Sequence, residues 1–225
     1  MNLVKRSCYL AALLALLAAG SAIAQQQLTV GRDYTLINPA QPTDSGKKIE
    51  VIEFFWYGCI HCYHLEAPLK AWLKHKPADV EFRYVPAIFD PASWGPLARA
   101  FYALEAMGLG GKFHDEIFTA IHRDKQRAIV TDPRVLADWL AGKGVDKQKF
   151  LDTYNSFAVN NRTKRSEDMT KSYDVPGTPA LVVDGKYITG PSMTLNSDNS
   201  VNYDRFFQVV DQLIATARKA HAGQK

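Results

Sequence analysis

The feature that most constrains how this chain can fold is a strand–helix–strand pattern with two cysteines where its first strand ends. Residues 50–56 form an apolar run typical of a buried strand, residues 62–76 carry apolar side chains at helical spacing, and residues 80–85 return to a strand pattern. A helix of this length between two strands predicts a parallel pair. Because open α/β sheets place their chemistry at the carboxyl ends of such strands, Cys59 and Cys62 are expected at a functional edge.

The segment Cys59-Ile60-His61-Cys62 is typical of a redox-active dithiol. Two cysteines three positions apart at the start of a helix lie on one face, close enough to form a disulfide. The sulfur of Cys59 can face unpaired backbone N–H groups, and the helix dipole and a neighbouring imidazole lower the pKa of such a thiol below its usual ~8.5. Since the thiolate is the form that attacks disulfides, the spacing predicts thiol–disulfide exchange.

The amino terminus indicates the compartment in which this dithiol works. Two basic residues precede an apolar stretch over residues 9–19, which is followed by Ser21-Ala22-Ile23-Ala24. This order is typical of a cleaved secretory signal peptide and predicts a leader over residues 1–24. A retained membrane anchor is the alternative, although the apolar stretch is about half the ~20 residues of a spanning helix. Cys8 precedes the apolar stretch and is expected to be removed with the leader.

Cysteine content and net charge indicate what the cysteine pair is for and which class of partner is not expected. Without the leader only Cys59 and Cys62 remain, and the chain of 225 residues, 47% hydrophobic and 22% charged, can bury a core without cross-links. The pair is therefore expected to be functional. Lys5 and Arg6 of the leader account for two of the net charge of +4, which leaves the mature chain near +2. No nucleic-acid partner is expected for so small a charge.

The remaining patterns predict an α/β fold in which helices interrupt the strands. One more strand is predicted over residues 34–37, and Asp184-Gly185 between two short apolar strands predicts an antiparallel hairpin. The predicted helices cover residues 93–107, 112–122, 132–141, 147–173 with a break, and 203–220.

Three local patterns together resemble the DsbA family. They are Glu53-Phe54-Phe55 before the dithiol, Cys59-Ile60-His61-Cys62-Tyr63, and Val175-Pro176-Gly177-Thr178-Pro179 before the hairpin. The resemblance spans nearly all of the mature chain and implies a thioredoxin fold with an inserted all-helical subdomain. The thioredoxin-like domain would cover residues 25–90 and 173–225, and the inserted helical domain residues 91–172.

The resemblance also implies a function. The protein would be a periplasmic thiol:disulfide oxidoreductase of a Gram-negative bacterium that donates its Cys59–Cys62 disulfide to reduced, unfolded exported proteins. A DsbB-type, quinone-linked membrane oxidase would reoxidise it, and no cofactor besides the disulfide is implied. We expect a monomer, because no additional dimerisation domain is visible before the first strand. A disulfide isomerase or reductase of the same fold, or a non-catalytic thiol or metal carrier, are the alternatives.

Direction of electron flow depends on how strongly the reduced form is stabilised. A stable Cys59 thiolate makes the disulfide a better oxidant and Cys59 a better leaving group. His61 is the candidate for supplying this bias by charge or by hydrogen bonding to sulfur, and a surface histidine without an energetic role is the alternative. Ile60 stands where the family often has proline, so the resemblance leaves the oxidising strength open.

Two further site elements follow from the resemblance. A cis Thr178–Pro179 bond would face the dithiol, with Thr178 offering its backbone to a substrate peptide and its hydroxyl to Cys59; a plain trans turn is the alternative. Glu53 lies within an apolar strand, where an ionised carboxylate needs a partner or a proton. We expect Glu53 and water to move a proton to and from Cys62 while Arg83 neutralises the acid, and a purely structural Glu53–Arg83 pair is the alternative.

The residues around the dithiol also allow two other interpretations, a metal site and an apolar client surface. Cys59, His61, Cys62 and His64 are four potential ligands, but His61 would point away from the cysteine face and no second ligand pair is present. The aromatic residues around the dithiol could instead form an apolar surface for unfolded clients, with core packing as the alternative. These aromatic residues are Trp56, Tyr57, Tyr63 and Trp94.

Overall fold

The computed structural model describes residues 27–223, so the predicted leader and Cys8 lie outside the described residues. Within that span no helix combines the length and the apolar character that crossing a membrane would require.

A five-stranded sheet in the order β1-β5-β4-β2-β3 forms the centre of the molecule. Its strands are β1 Thr35–Leu36, β2 Ile49–Phe55, β3 Val80–Pro86, β4 Ala180–Val183 and β5 Tyr187–Thr189. The predicted parallel pairing of β2 with β3 is confirmed, and β4 pairs antiparallel with both β2 and β5. The hairpin turns at Asp184 and Gly185, both at positive φ.

Strand β2 is buried along its whole length, and its alternating side chains define two faces of the sheet. The dithiol face carries Val51, Glu53 and Phe55. The arginine face carries Glu50, Ile52 and Phe54, and Arg83 of β3 is in register with Ile52. The two faces contact different helices and therefore provide different environments.

Two long helices cover the dithiol face. Helix α1, Ile60–Leu73, and the C-terminal helix α8, Tyr203–Ala222, pack their apolar side chains into one cluster with Val51. The indole N–H of Trp72 in α1 donates a 2.9 Å hydrogen bond to Asp211 in α8. Helix α1 begins two residues earlier than predicted, which places Cys59 at its N-cap.

Helices alone connect β3 to β4 in the described chain. They are α2 Pro91–Ala106, α3 Gly110–His122, α4 Ala128–Thr131, α5 Pro133–Ala141, α6 Lys147–Tyr154 and α7 Phe157–Ser172. Asp90 and Asp132 cap α2 and α5 directly before a first-turn proline. The predicted break in the 147–173 segment lies at Asn155 and Ser156. Helix α4 was missed, because a single turn gives no periodicity to read.

Candidate active site

Cys59 lies at the N-terminus of α1, where the helix has backbone N–H groups without helical partners. The backbone N–H groups of His61 and Cys62 help to lower the pKa of its thiol, and the carbonyl of Trp56 accepts the N–H of Cys59 at 2.9 Å. The turn that ends β2 therefore places the half-buried sulfur at the N-terminus of α1.

The two thiols have opposite acidities. The pKa of Cys59 is lowered to about 5, chiefly by a hydrogen bond from the Cys62 thiol. Thr178 and the first backbone N–H groups of α1 lower it further, whereas burial acts in the other direction. Burial raises the pKa of Cys62, and its hydrogen bond to Cys59 and the nearby Glu53 raise it further. In this structure both cysteines are free thiols, so at neutral pH Cys59 is the thiolate and Cys62 keeps its proton.

The loop that contains Thr178 and Pro179 faces the dithiol. The Thr178–Pro179 peptide bond is cis, as the resemblance implied. The backbone oxygen of Thr178 lies 3.3 Å from the sulfur of Cys59 and accepts a hydrogen bond while that sulfur is protonated. Thr178 also helps to lower the pKa of Cys59, because its side chain can hydrogen-bond to the thiolate. Residues separated by more than a hundred positions in sequence are thereby brought into contact.

His61 lies between the cysteines with an exposed side chain. Its backbone N–H is the part of His61 that helps to lower the pKa of Cys59.

Glu53 is fully buried on the dithiol face, and neither carboxylate oxygen has a hydrogen-bond partner among the described residues. Burial, then the negative charges of Glu66 and Cys59, raise the pKa of Glu53 well above its usual value. The expected pairing with Arg83 is wrong. Arg83 points to the opposite face, where its guanidinium lies 3.0 Å from Glu50, because strand alternation separates it from Glu53.

A buried polar network beside the dithiol was missed by the sequence reasoning. The hydroxyl of Tyr57 lies 3.0 Å from Nδ1 of His114, and Nε2 of the same ring lies 3.2 Å from Glu66. Glu66 is also 3.5 Å from Lys70, which reaches the surface. The available signal was Glu66 and His114 at positions that share the buried faces of α1 and α3.

A second histidine links the inserted helices to the active-site turn. Nε2 of His122, at the end of α3, donates a 2.8 Å hydrogen bond to the carbonyl of Tyr57, and its ring stacks on Tyr63. Burial lowers the pKa of His122, which keeps this ring neutral at pH 7.

The aromatic residues near the dithiol divide into surface and core. Trp56 and Trp94 stack with ring centroids 4.2 Å apart, and the exposed Phe89 packs edge-on against Trp94. Tyr57 is buried in the core of the helical insertion. Across residues 27–223, no three side chains of the His, Cys, Asp or Glu types converge as metal ligands.

An acidic, accessible sulfur beside a buried, protonated partner suits thiol–disulfide exchange, because the first is a good leaving group and the second stays inside the protein. Together with the sheet and its flanking helices, this site places the chain among the thiol:disulfide oxidoreductases of thioredoxin fold.

Comparison with known proteins identifies the family. Residues 50–199 match the family model of the DSBA-like thioredoxin domain. The thiol:disulfide interchange protein DsbA of Burkholderia cepacia is 43% identical over 180 residues, which cover 79% of this chain and 84% of that protein. The chain belongs to the DSBA-like thioredoxin domain family.

Solved structures agree with this assignment. The crystal structure of Pseudomonas aeruginosa DsbA is 37% identical with a TM-score of 0.77, over 88% of this chain and 97% of that one. The oxidoreductase DsbA from Xylella fastidiosa is 32% identical with a TM-score of 0.75, over 85% and 98%. The predicted family, the thioredoxin fold with an inserted all-helical subdomain and the oxidoreductase activity are thus confirmed.

Proposed function

We propose that this protein is a periplasmic oxidase that donates its Cys59–Cys62 disulfide to reduced, unfolded exported proteins. The observation that carries the proposal is the contrast in acidity between the two thiols, with the pKa of Cys59 lowered to about 5 and that of Cys62 raised. Stabilising the Cys59 thiolate stabilises the reduced protein, which makes its disulfide a strong oxidant.

The reaction proceeds in two exchanges. A substrate thiolate attacks the sulfur of Cys59, the Cys59–Cys62 bond breaks, and Cys62 leaves with the electron pair and takes up a proton. A second substrate thiolate then attacks the substrate sulfur of the mixed disulfide. Cys59 leaves as the stable thiolate, so the substrate has lost two electrons and the protein has gained them.

Glu53 is the proposed proton donor for the first exchange. Cys62 is a poor leaving group because its pKa is raised, and a neutral Glu53 beside it can supply the proton. The same carboxylate would take the proton back during reoxidation. Glu53 is free for this role because Arg83 is bound to Glu50 instead.

Substrate positioning falls to the cis-proline loop. We assign peptide binding to the backbone of Thr178 and to Pro179, which face the sulfur of Cys59. The backbone N–H of His61 helps to lower the pKa of Cys59, and its exposed imidazole is the side chain assigned to favour the thiolate by charge or by hydrogen bonding.

The cellular setting is part of the same proposal. Residues 1–24 would be a cleaved leader that directs the protein to the periplasm, where oxidised thiols persist. A quinone-linked membrane oxidase of the DsbB type would reoxidise a monomeric protein that needs no cofactor beyond its disulfide.

Redox and turnover measurements test this proposal. Ultraviolet titration of the reduced protein should give a Cys59 thiolate pKa near 5, and equilibration with glutathione should give a disulfide less stable than those of its substrates. With an oxidant supplied, the protein should oxidise many equivalents of a reduced unfolded protein. An ordinary thiol pKa would contradict the oxidase. Turnover limited to one equivalent would indicate a carrier, and activity restricted to scrambled disulfides would indicate an isomerase.

A further inference from the structure

A groove of about 450 Å³ lies directly beside the dithiol, between the active-site turn and the inserted helices. Its apolar wall is formed by Trp56, Ile60, Ile121 and Val130. Ile60, which lies between the two cysteines, is an apolar side chain that is 40% exposed. The groove therefore offers apolar contact immediately next to the sulfur that a client attacks.

The charged side chains of this groove all have one sign. Lys125 and Arg127 line it, and no acidic residue does. Neither cation forms an ion pair with a carboxylate of the described residues, whereas the neighbouring Arg123 is neutralised by Asp124 at 2.8 Å. The groove thus carries two uncompensated positive charges in a chain whose mature net charge is near +2.

A cleft at the β3 edge of the sheet provides an internal contrast. It contains Arg83, Arg162 and Arg165, but Asp44 and Glu105 line the same cleft. Two carboxylates there offset two of the three arginine charges, whereas no carboxylate within residues 27–223 lines the groove beside the dithiol.

Position relative to Cys59 makes the charge useful for recognition. Gly58 and Ile60, the two neighbours of Cys59, both line the groove. A client chain whose cysteine reaches the Cys59 sulfur must therefore pass the mouth of this groove with the residues that flank its cysteine.

We infer that the groove selects client segments in which acidic and apolar residues flank the cysteine, with Lys125 and Arg127 attracting the acidic side chains. This inference rests on the proposed function and specifies its substrate class. Charges at the rim of a binding surface act mainly on the association rate and its salt dependence. The preference should therefore be visible in the second-order rate of exchange.

The test uses two peptides that differ only in flanking charge. Each has one cysteine, blocked termini and the same apolar residues, with glutamates in one peptide and lysines in the other. Stopped-flow fluorescence measures how fast each peptide reduces the oxidised full-length protein. The flanking charges also change the reactivity of the peptide's own thiol. The quantity compared between the wild type and its variants is therefore the ratio of the two rates.

Charge reversal at the groove provides the decisive variant. In Lys125→Glu/Arg127→Glu the ratio of the glutamate-peptide rate to the lysine-peptide rate should fall by roughly tenfold at low ionic strength. The difference should shrink at about 0.5 M salt, where screening is strong. The milder Lys125→Gln/Arg127→Gln variant should give an intermediate ratio. A response graded with the size of the charge change distinguishes an electrostatic effect from misfolding of one variant.

A matched control separates the groove from overall charge. Lys74→Glu/Lys149→Glu makes the same change in net charge at exposed sites outside the groove and should leave the ratio within about twofold of the wild type. An unchanged ratio in the groove variants, or an equal fall in the control, would overturn the inference. The inference would also be overturned if the groove variants changed only the binding of the protein to anionic phospholipid vesicles and not the ratio of the two peptide rates. If neither peptide were oxidised by the wild type, the proposed function itself would fail.

Discussion

Strand β2 buries one glutamate on each of its two faces, and the two carboxylates have opposite environments. On the arginine face, Glu50 is bound by Arg83 at 3.0 Å and by the backbone N–H of Asp44 at 3.1 Å. On the dithiol face, Glu53 is equally buried and has no hydrogen-bond partner among the described residues. A carboxylate held by cations and donors stabilises a fold, whereas an unpartnered one can exchange its proton with a neighbour.

The largest expected effect is on the dithiol face, at the attacked sulfur. Cys59→Ser should lower the rate of disulfide donation by roughly three orders of magnitude or more, because Cys62, the other thiol of the described residues, is buried. Cys62→Ser should instead accumulate a mixed disulfide with the substrate through Cys59, detectable by mass spectrometry. Trapping of substrate on Cys62 in the Cys59→Ser variant would reverse the assigned roles.

The arginine face should show the largest effect on stability. Arg83→Leu should lower the free energy of unfolding by about 3 kcal/mol, because it leaves the carboxylate of Glu50 buried without its cation. Urea unfolding measures this change. As a control, Arg165→Leu breaks only the exposed pair with Asp44, which should cost about 0.5 kcal/mol. Similar losses in both variants would show that Glu50 does not depend on Arg83.

The stability of the reduced protein should rise with pH on account of Cys59. Its pKa is about 5 in the folded state and ~8.5 in an unfolded chain. Between these values the unfolded chain binds more protons, so stability increases with pH across this window. At pH 7 the contribution should be about 2 kcal/mol after allowance for solvent screening. Denaturation of reduced and oxidised protein from pH 5 to 8 checks this, since the oxidised protein should lack the rise.

Glu53→Gln should have the smallest effect on stability. Unlike Arg83→Leu, it should raise the free energy of unfolding. The pKa of Glu53 is raised in the folded state, so above its unfolded value the folded protein holds a proton that the unfolded chain releases. Stability attributable to Glu53 is therefore lost as pH rises. The neutral glutamine should remove this loss, raise the free energy of unfolding at pH 7, and slow the exchange reaction. Unchanged exchange kinetics would leave Glu53 without a role in proton transfer.

The sequence allowed the β2–α1–β3 unit, the hairpin at Asp184-Gly185 and the dithiol to be predicted, because each is encoded in consecutive residues. It did not allow the partner of Arg83 to be predicted. Glu50 and Glu53 are both within reach along the strand, and the choice depends on strand register. His114 and His122 were missed for a related reason, since their partners Glu66 and Tyr57 belong to distant segments.

What the sequence determined by itself is local: the spacing of two cysteines at the start of a helix, and the patterns that resemble the DsbA family. The tertiary structure decided how these cysteines differ. Thr178 reaches the sulfur of Cys59 from the far end of the chain, and burial beside Glu53 keeps the proton on Cys62. Acidity depends on burial and on through-space charges and hydrogen bonds, which exist only once the distant segments have packed together.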